Sequence, residues 1–236
     1  SYGMKVNASG LGKSHDVDLS LNLTDFSITV APATQTIRQL DGAIYTISLA
    51  PLNSFTGSVS LEVDGVPRGM RATISPNPAT LPSQVNLDLA TSKWLLPGLY
   101  DLTITATGRV VSHAVVANLV VDRNPAIAPR IVTTPGPLNR PVIKTLRMDG
   151  VLLSQFLASD SRGDTSIAAG DVDGDGIDEI IAGMGWKIPI SAATLGIYRR
   201  DGTPVAVMET DHYSGITVAA ADLDGDWVEE VAVGSF

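Results

Sequence analysis

The sequence predicts an all-β chain built from two kinds of repeat. Three observations carry that reading. Apolar and polar residues alternate over short runs separated by Gly- and Pro-containing turns, the pattern of half-buried strands and hairpins. The segment YGMKVNASGLGKSHDVDLSLNL from Tyr2 matches YDLTITATGRVVSHAVVANLVV from Tyr100 without a gap, at an offset of 98 residues. A second, shorter repeat fills the C-terminal part, where two Asp-Gly turns and two acidic loops recur at offsets of 52 and 51.

In the first repeat, Tyr2 meets Tyr100, Val6 meets Ile104, Ala8 meets Ala106, Gly10 meets Gly108, and Ser14-His15 meets Ser112-His113. Each copy reads as a β-hairpin. Strands are expected at FSITV, GAIYTISLA, GSVSLEV, MRATISP, QVNLDLAT, YDLTITAT and SHAVVANLVV. About seven short strands in about 100 residues is the size of an immunoglobulin-like sandwich. Tyr100 follows Pro-Gly at the start of a late strand, where a tyrosine corner would sit. Residues 25–122 therefore resemble the Ig-like domains of large secreted bacterial and archaeal proteins. The antibody-type Cys…Trp…Cys core is missing, since the chain has no cysteine. Residues 1–24 are then expected to be the last two strands of a preceding copy, in a chain cut from a longer one. The alternative is a hairpin that completes a sandwich in another subunit, because a bare apolar hairpin is a liability.

Residues 123–141, RNPAIAPRIVTTPGPLNRP, contain five prolines and are expected to be a semi-stiff extended linker. Beyond them, MDGVLLSQF (148–156) is matched by RDGTPVAVM (200–208), and IAAGDVDGDGIDEIIAG (167–183) by VAAADLDGDWVEEVAVG (218–234). Asp149-Gly150 and Asp201-Gly202 are strong hairpin-turn signals. Units of about 50 residues with several short strands predict two propeller-type blades over 142–236. That is fewer than a closed propeller needs, and the chain ends at VGSF just after a strand, a second sign of truncation.

The acidic loops carry the chemistry. Carboxylates at positions 1, 3 and 5 of a tight loop converge while the intervening side chains point away. Glycine at position 6 allows a sharp bend. Such a set of hard oxygen donors suits a divalent cation, calcium above all. An EF-hand would need a bidentate Glu at position 12 and flanking helices. Position 12 is Ala182 in one loop and Val233 in the other, both inside apolar β-like runs, so that reading fails on ligand and context. Dockerin-type loops fail similarly.

The remaining pattern resembles the FG-GAP or VCBS repeat of integrin-like β-propellers. In that family a D-x-D-x-D-G-x-x-D loop joins the first two strands of a blade and binds calcium. The resemblance implies Asp171, Asp173, Asp175, the Ile177 carbonyl and Glu179 as ligands in the first loop. It implies Asp222, Asp224, Asp226, the Val228 carbonyl and Glu230 in the second. Glu179 replaces the usual last Asp, and Trp227 replaces the glycine at position 6. If that position takes a positive φ, Trp227 is strained.

Composition limits the function classes. The net charge of -9 argues against nucleic acid or an anionic membrane as main partner. Sixteen of the 25 acidic residues follow Pro141, so the two ends differ in role. No run approaches the roughly 20 apolar residues of a membrane helix, and no basic-then-apolar leader opens the sequence. Without cysteine there are no disulfides, thiolate sites or thiol nucleophiles. No G-x-S-x-G or H-E-x-x-H constellation appears. His15 and His113 occupy equivalent repeat positions and read as structural, and His212 has no evident partner. Ser9–Ser14 (SGLGKS) lacks the first glycine of a phosphate loop, because Asn7 stands there. Arg162-Gly163-Asp164 lies in an expected polar loop and matches the integrin-binding tripeptide. Asn7 and Asn22 open glycosylation sequons.

The expectation is a non-enzymatic, calcium-binding region of a secreted or cell-surface prokaryotic protein, serving adhesion, assembly or display. Its partners would be calcium and other subunits or surface glycans. Two alternatives stand beside it. One is an accessory or spacer region of a large secreted hydrolase. The other is a filament subunit exchanging strands through residues 1–24.

Overall fold

The computed structural model describes residues 2–21, 23–160, 162–188, 192–211 and 213–235. Asn22 of the second sequon and His212 lie outside them. Among the described residues the chain is all-β, as its patterning requires, apart from one 3-10 turn at Pro125–Ile127. Among the described residues no helix is long and apolar enough to cross a membrane. Two compact units form, Ser1–Arg123 and Asn124–Phe236.

The first unit opens with a two-stranded ribbon, β1 (Tyr2–Gly10) and β2 (Lys13–Leu21). Leu11 and Gly12 turn it at φ +53 and +76, values that suit the right-handed twist of a tight hairpin. Nine strands follow: β3 (Asp25–Ala31), β4 (Thr34–Arg38), β5 (Ala43–Leu52), β6 (Ser58–Asp64), β7 (Met70–Ser75), β8 (Ala79–Thr80), β9 (Ser83–Thr91), β10 (Gly98–Thr107) and β11 (Ser112–Asp122). They form two sheets, β3-β5-β9-β7 and β4-β11-β10-β6-β8. All pairings are antiparallel except β4 with β11. This strand order is that of an immunoglobulin-like sandwich, with β3, β5, β9 and β7 as the ABED sheet and β6, β10 and β11 as CFG.

Strict alternation produces the core. Ala43, Tyr45, Ile47 and Leu49 of β5 point inward, as do Val85, Leu87 and Leu89 of β9 and Leu102, Ile104 and Ala106 of β10. The Tyr45 hydroxyl donates to the Asn118 carbonyl at 2.6 Å, so the ring is buried without stranding its polar end. Tyr100 donates to the Leu96 carbonyl at 2.6 Å, the hydrogen bond of a tyrosine corner. Two of the nine strands escape the sequence reading. β4 is a Thr-rich edge strand and β8 has two residues, so neither carries an apolar alternation long enough to register.

The second unit contains β12 (Arg130–Thr133), β13 (Val142–Arg147), β14 (Leu152–Leu157), β15 (Arg162–Gly170), β16 (Glu179–Ile188), β17 (Thr194–Tyr198), β18 (Pro204–Glu209), β19 (Ile216–Ala221) and β20 (Glu230–Ser235). These make three successive antiparallel sheets: β12-β13-β14, β15-β16-β17-β18 and β19-β20. The layout corrects two expectations. Residues 123–141 are not simply a spacer, because Arg130–Thr133 pairs with β13 and belongs to this unit. The strands also group otherwise than as two equal units, with one complete four-stranded meander between a three-stranded and a two-stranded sheet. The Asp-Gly turn at 149–150 closes the sheet before the first acidic loop, not the sheet that contains it.

The two Asp-Gly turns are alike. Gly150 and Gly202 sit at φ +86 and +96. The Arg147 and Arg199 amides donate across them to the Val151 and Thr203 carbonyls, both at 2.8 Å. Ile143, Ile180, Ala182 and Tyr198 form the buried core here, with Val132, Phe156, Ala158 and Ile167 against it. β15 and β16 approach β19 through glycines. A Cβ on Gly170 would lie 2.7 Å from Ala220 Cβ, and one on Gly185 would lie 2.5 Å from Gly215 Cα. Only residues without a side chain allow strands this close.

Candidate metal centres in the two acidic loops

Each acidic loop is the turn of a hairpin. The first joins β15 to β16, and the second joins β19 to β20. The loops are held by the same hydrogen bonds at equivalent positions. In the first, Asp171 accepts from the amides of Gly174 (2.8 Å) and Gly176 (2.7 Å). Asp173 accepts from the Asp175 amide (3.2 Å), Asp175 from the Ile177 amide (2.8 Å), and Glu179 from the Val172 amide (3.2 Å). In the second, Asp222 accepts from Gly225 (2.7 Å) and Trp227 (3.1 Å). Asp224 accepts from Asp226 (3.1 Å), Asp226 from Val228 (2.8 Å), and Glu230 from Leu223 (2.8 Å). Every one is a carboxylate-to-amide bond, which bends the backbone into a tight cradle and fixes each side chain's rotamer.

The cradle needs left-handed backbone at two places. Gly174 and Gly176 take φ +77 and +82, and their counterparts Gly225 and Trp227 both take +82. Trp227 is therefore strained, as its place in the repeat implies. A bulky residue there costs about 1–2 kcal/mol relative to glycine.

The structure brings together part of each expected ligand set. Asp171, Asp173 and Glu179 each present a carboxylate oxygen within 4.8 Å of the others, as do Asp222, Asp224 and Asp226. Asp175 stands outside the first triad. It meets Arg199 at 3.3 Å, and the same guanidinium lies 2.8 Å from Asp173. Glu230 stands outside the second triad. Ile177 and Val228 are placed by the amide bonds they donate. The donor set is carboxylate oxygen throughout, which fits a hard divalent cation and not a soft one.

The first centre is the more deeply buried. Asp171 and Glu179 are 2% and 1% exposed. Burial, with the Asp173, Asp175 and Asp171 charges beside it, pushes the Glu179 carboxyl up to about 7, against the opposing pull of the Val172 amide. Arg199 is held charged chiefly by Asp173 and then by Asp175. It pairs with Asp173 of the triad as well as with Asp175 and so offsets part of the clustered charge.

Sequence spacing does not reveal two further residues of this site. Arg199 is one; its repeat counterpart Arg147 turns to Asp149 instead, at 2.9 Å. The other is Glu229 of the second loop. Its carboxylate accepts from the Asp171 amide (2.7 Å), and its own amide donates to the Asp171 carbonyl (2.8 Å). The second loop is thus tied to the first Asp of the first loop. Its repeat counterpart, Asp178, lies 3.7 Å from Arg200.

Other motifs fall into place. Position 12 of each loop, Ala182 or Val233, lies in a strand. Arg162-Gly163-Asp164 is not a loop, because it opens β15, with Gly163 buried and its amide bonded to the Asn139 carbonyl at 3.3 Å. Arg162 is exposed and Asp164 half-buried on this strand. His113 lies 2.7 Å from Asp25 and edge-on to Phe26 at 5.0 Å, a packing contact between strands. Ser9–Ser14 is the turn of the ribbon.

No protein-family model matches the chain. Among solved structures, domains 4 and 5 of the S-layer protein SbsC are 14% identical with a TM-score of 0.34; the match covers 46% of this chain and 58% of that one. Domains 1–6 of SbsC are 12% identical with a TM-score of 0.35, over 94% of this chain and 27% of that one. Domains 5–6 are 12% identical with a TM-score of 0.33, over 80% and 96%. The likeness is distant.

Proposed function

We propose that the chain is a calcium-braced, non-enzymatic structural region of an extracellular or cell-surface assembly, and that its second unit is made of FG-GAP/VCBS-type blades. The observation that carries this reading is the pair of acidic loops, which share one hydrogen-bond scheme and place three carboxylates together at the turn of a hairpin. Asp171, Asp173 and Glu179 would hold one calcium ion, and Asp222, Asp224 and Asp226 another. The ion would neutralise the clustered charge. The loops' own amide bonds would keep the carboxylates aimed, and Glu229 would pass the bracing from one loop to the next sheet. Calcium sites of modest charge suit the high calcium outside cells.

Thermal unfolding of the whole chain in chelator and in calcium tests the proposal. At calcium 100-fold above Kd each occupied site adds about 2.7 kcal/mol. Calcium should therefore raise the transition of the second unit by several degrees. Equal melting temperatures in both conditions would overturn the claim.

A further inference from the structure

The ribbon β1–β2 is the feature that the two centres leave unexplained. It pairs in the same register as β10–β11. Met4 faces Leu19 as Leu102 faces Ala117, Val6 faces Val17 as Ile104 faces Val115, and Ala8 faces His15 as Ala106 faces His113. One face of the ribbon is apolar: Met4, Val6, Ala8, Val17 and Leu19. All five are exposed, Met4 at 61% and Val17 at 54%. Of their counterparts, Leu102, Ile104, Ala106 and Ala117 are at 0%, in one core with Phe26, Tyr45, Ile47 and Leu87 of the facing sheet, and Val115 is half-buried against it. The same sequence pattern is thus closed in one copy and bare in the other.

We propose that the ribbon is the closing pair of strands of a second immunoglobulin-like sandwich. Its apolar face docks on a sheet of the β3-β5-β9-β7 kind that lacks its own last two strands. That occupant is not residues 25–122, where β10 and β11 already fill the place. It is not a second ribbon either, because two ribbons packed face to face would leave the outer edge of every strand unpaired.

The copy also describes what the partner sandwich must present. β10 pairs antiparallel with β6 and β11 pairs parallel with β4, so the partner supplies an antiparallel strand beside β1 and a parallel one beside β2. His113 meets Asp25 and the edge of Phe26. His15 therefore lands on an acid-aromatic pair at the start of the partner's first strand. The inference rests on the assembly half of the proposed function and is independent of calcium. Its test reads the ribbon alone, so its failure and that of the calcium reading are separable.

These 236 residues contain no cysteine, so an introduced thiol is the only one among them. Val6→Cys places a thiol on the apolar face. Ser9→Cys places one on the opposite face, at the counterpart of exposed Thr107. In the isolated 236-residue chain both should react freely with a maleimide. In the protein within its native assembly, Val6→Cys should react at least about tenfold more slowly while Ser9→Cys is unchanged. A benzophenone carried on Val6→Cys should cross-link to a sandwich sheet other than residues 25–122. Equal reactivity of the two thiols in the assembled material would overturn the proposal, as would adducts to another copy's β1–β2.

Discussion

Replacing Glu179 by Gln should stabilise the metal-free chain above neutral pH and weaken it once calcium is present. Glu179 is buried at 1% exposure, with Asp171 and Asp173 within 4.8 Å. Its carboxyl moves from 4.5 to about 7. At roughly 1.4 kcal/mol per pKa unit, this corresponds to about 3 kcal/mol between the charged and neutral forms. The folded chain holds this proton more tightly than the unfolded chain. The contribution is therefore full below about pH 4.5 and is lost as pH rises through about 7. In chelator the native chain should lose up to about 3 kcal/mol between pH 5 and 8. Glu179→Gln is neutral throughout and should lose less, so it should be the more stable protein at pH 8. In calcium the order should reverse, because the variant has lost a charged ligand. Denaturant unfolding at pH 5, 6, 7 and 8, with and without calcium, reads all of this. A variant less stable than the native chain at pH 8 in chelator would refute the reasoning.

The strain at Trp227 can be isolated by comparing two substitutions that both remove the indole. Trp227→Gly should be more stable than Trp227→Ala by about 1 kcal/mol, the reverse of the ordinary preference, because only glycine accepts φ +82 without cost. Equal stabilities in urea would show that the position is unstrained. Gly185→Ala should destabilise the second unit by about 1–3 kcal/mol, because the new methyl would meet backbone atoms of Gly215 and Ile216 at 2.5 and 2.8 Å. An unchanged melting temperature would mean that β16 and β19 are less tightly packed than these distances require.

Much of the fold can be read in the sequence because its signals are local. Period-two alternation marks the long strands, such as Ala43–Leu52 and Ser83–Thr91, because each has one buried and one wet face. The offset of 98 marks the ribbon and β10–β11 as equivalents, and both adopt one register. What escapes is set by distant partners. Arg130–Thr133 becomes a strand because β13 lies beside it, although prolines flank it on both sides. Arg162-Gly163-Asp164 reads as a polar loop because three short polar residues show no alternation, and β16 makes it a strand. Spacing identifies Asp175 as a ligand but gives no sign of Arg199, which lies 24 residues later and meets it at 3.3 Å. Glu229 repeats Asp178 in position but not in role, because only Glu229 has an acidic loop on the sheet before it.

Calorimetric titration of the metal-stripped chain with calcium tests the central claim most directly. Two saturable sites should appear. Asp171→Asn should weaken one and Asp222→Asn the other. A titration without saturable heat, or two variants that bind as the native chain does, would contradict the account.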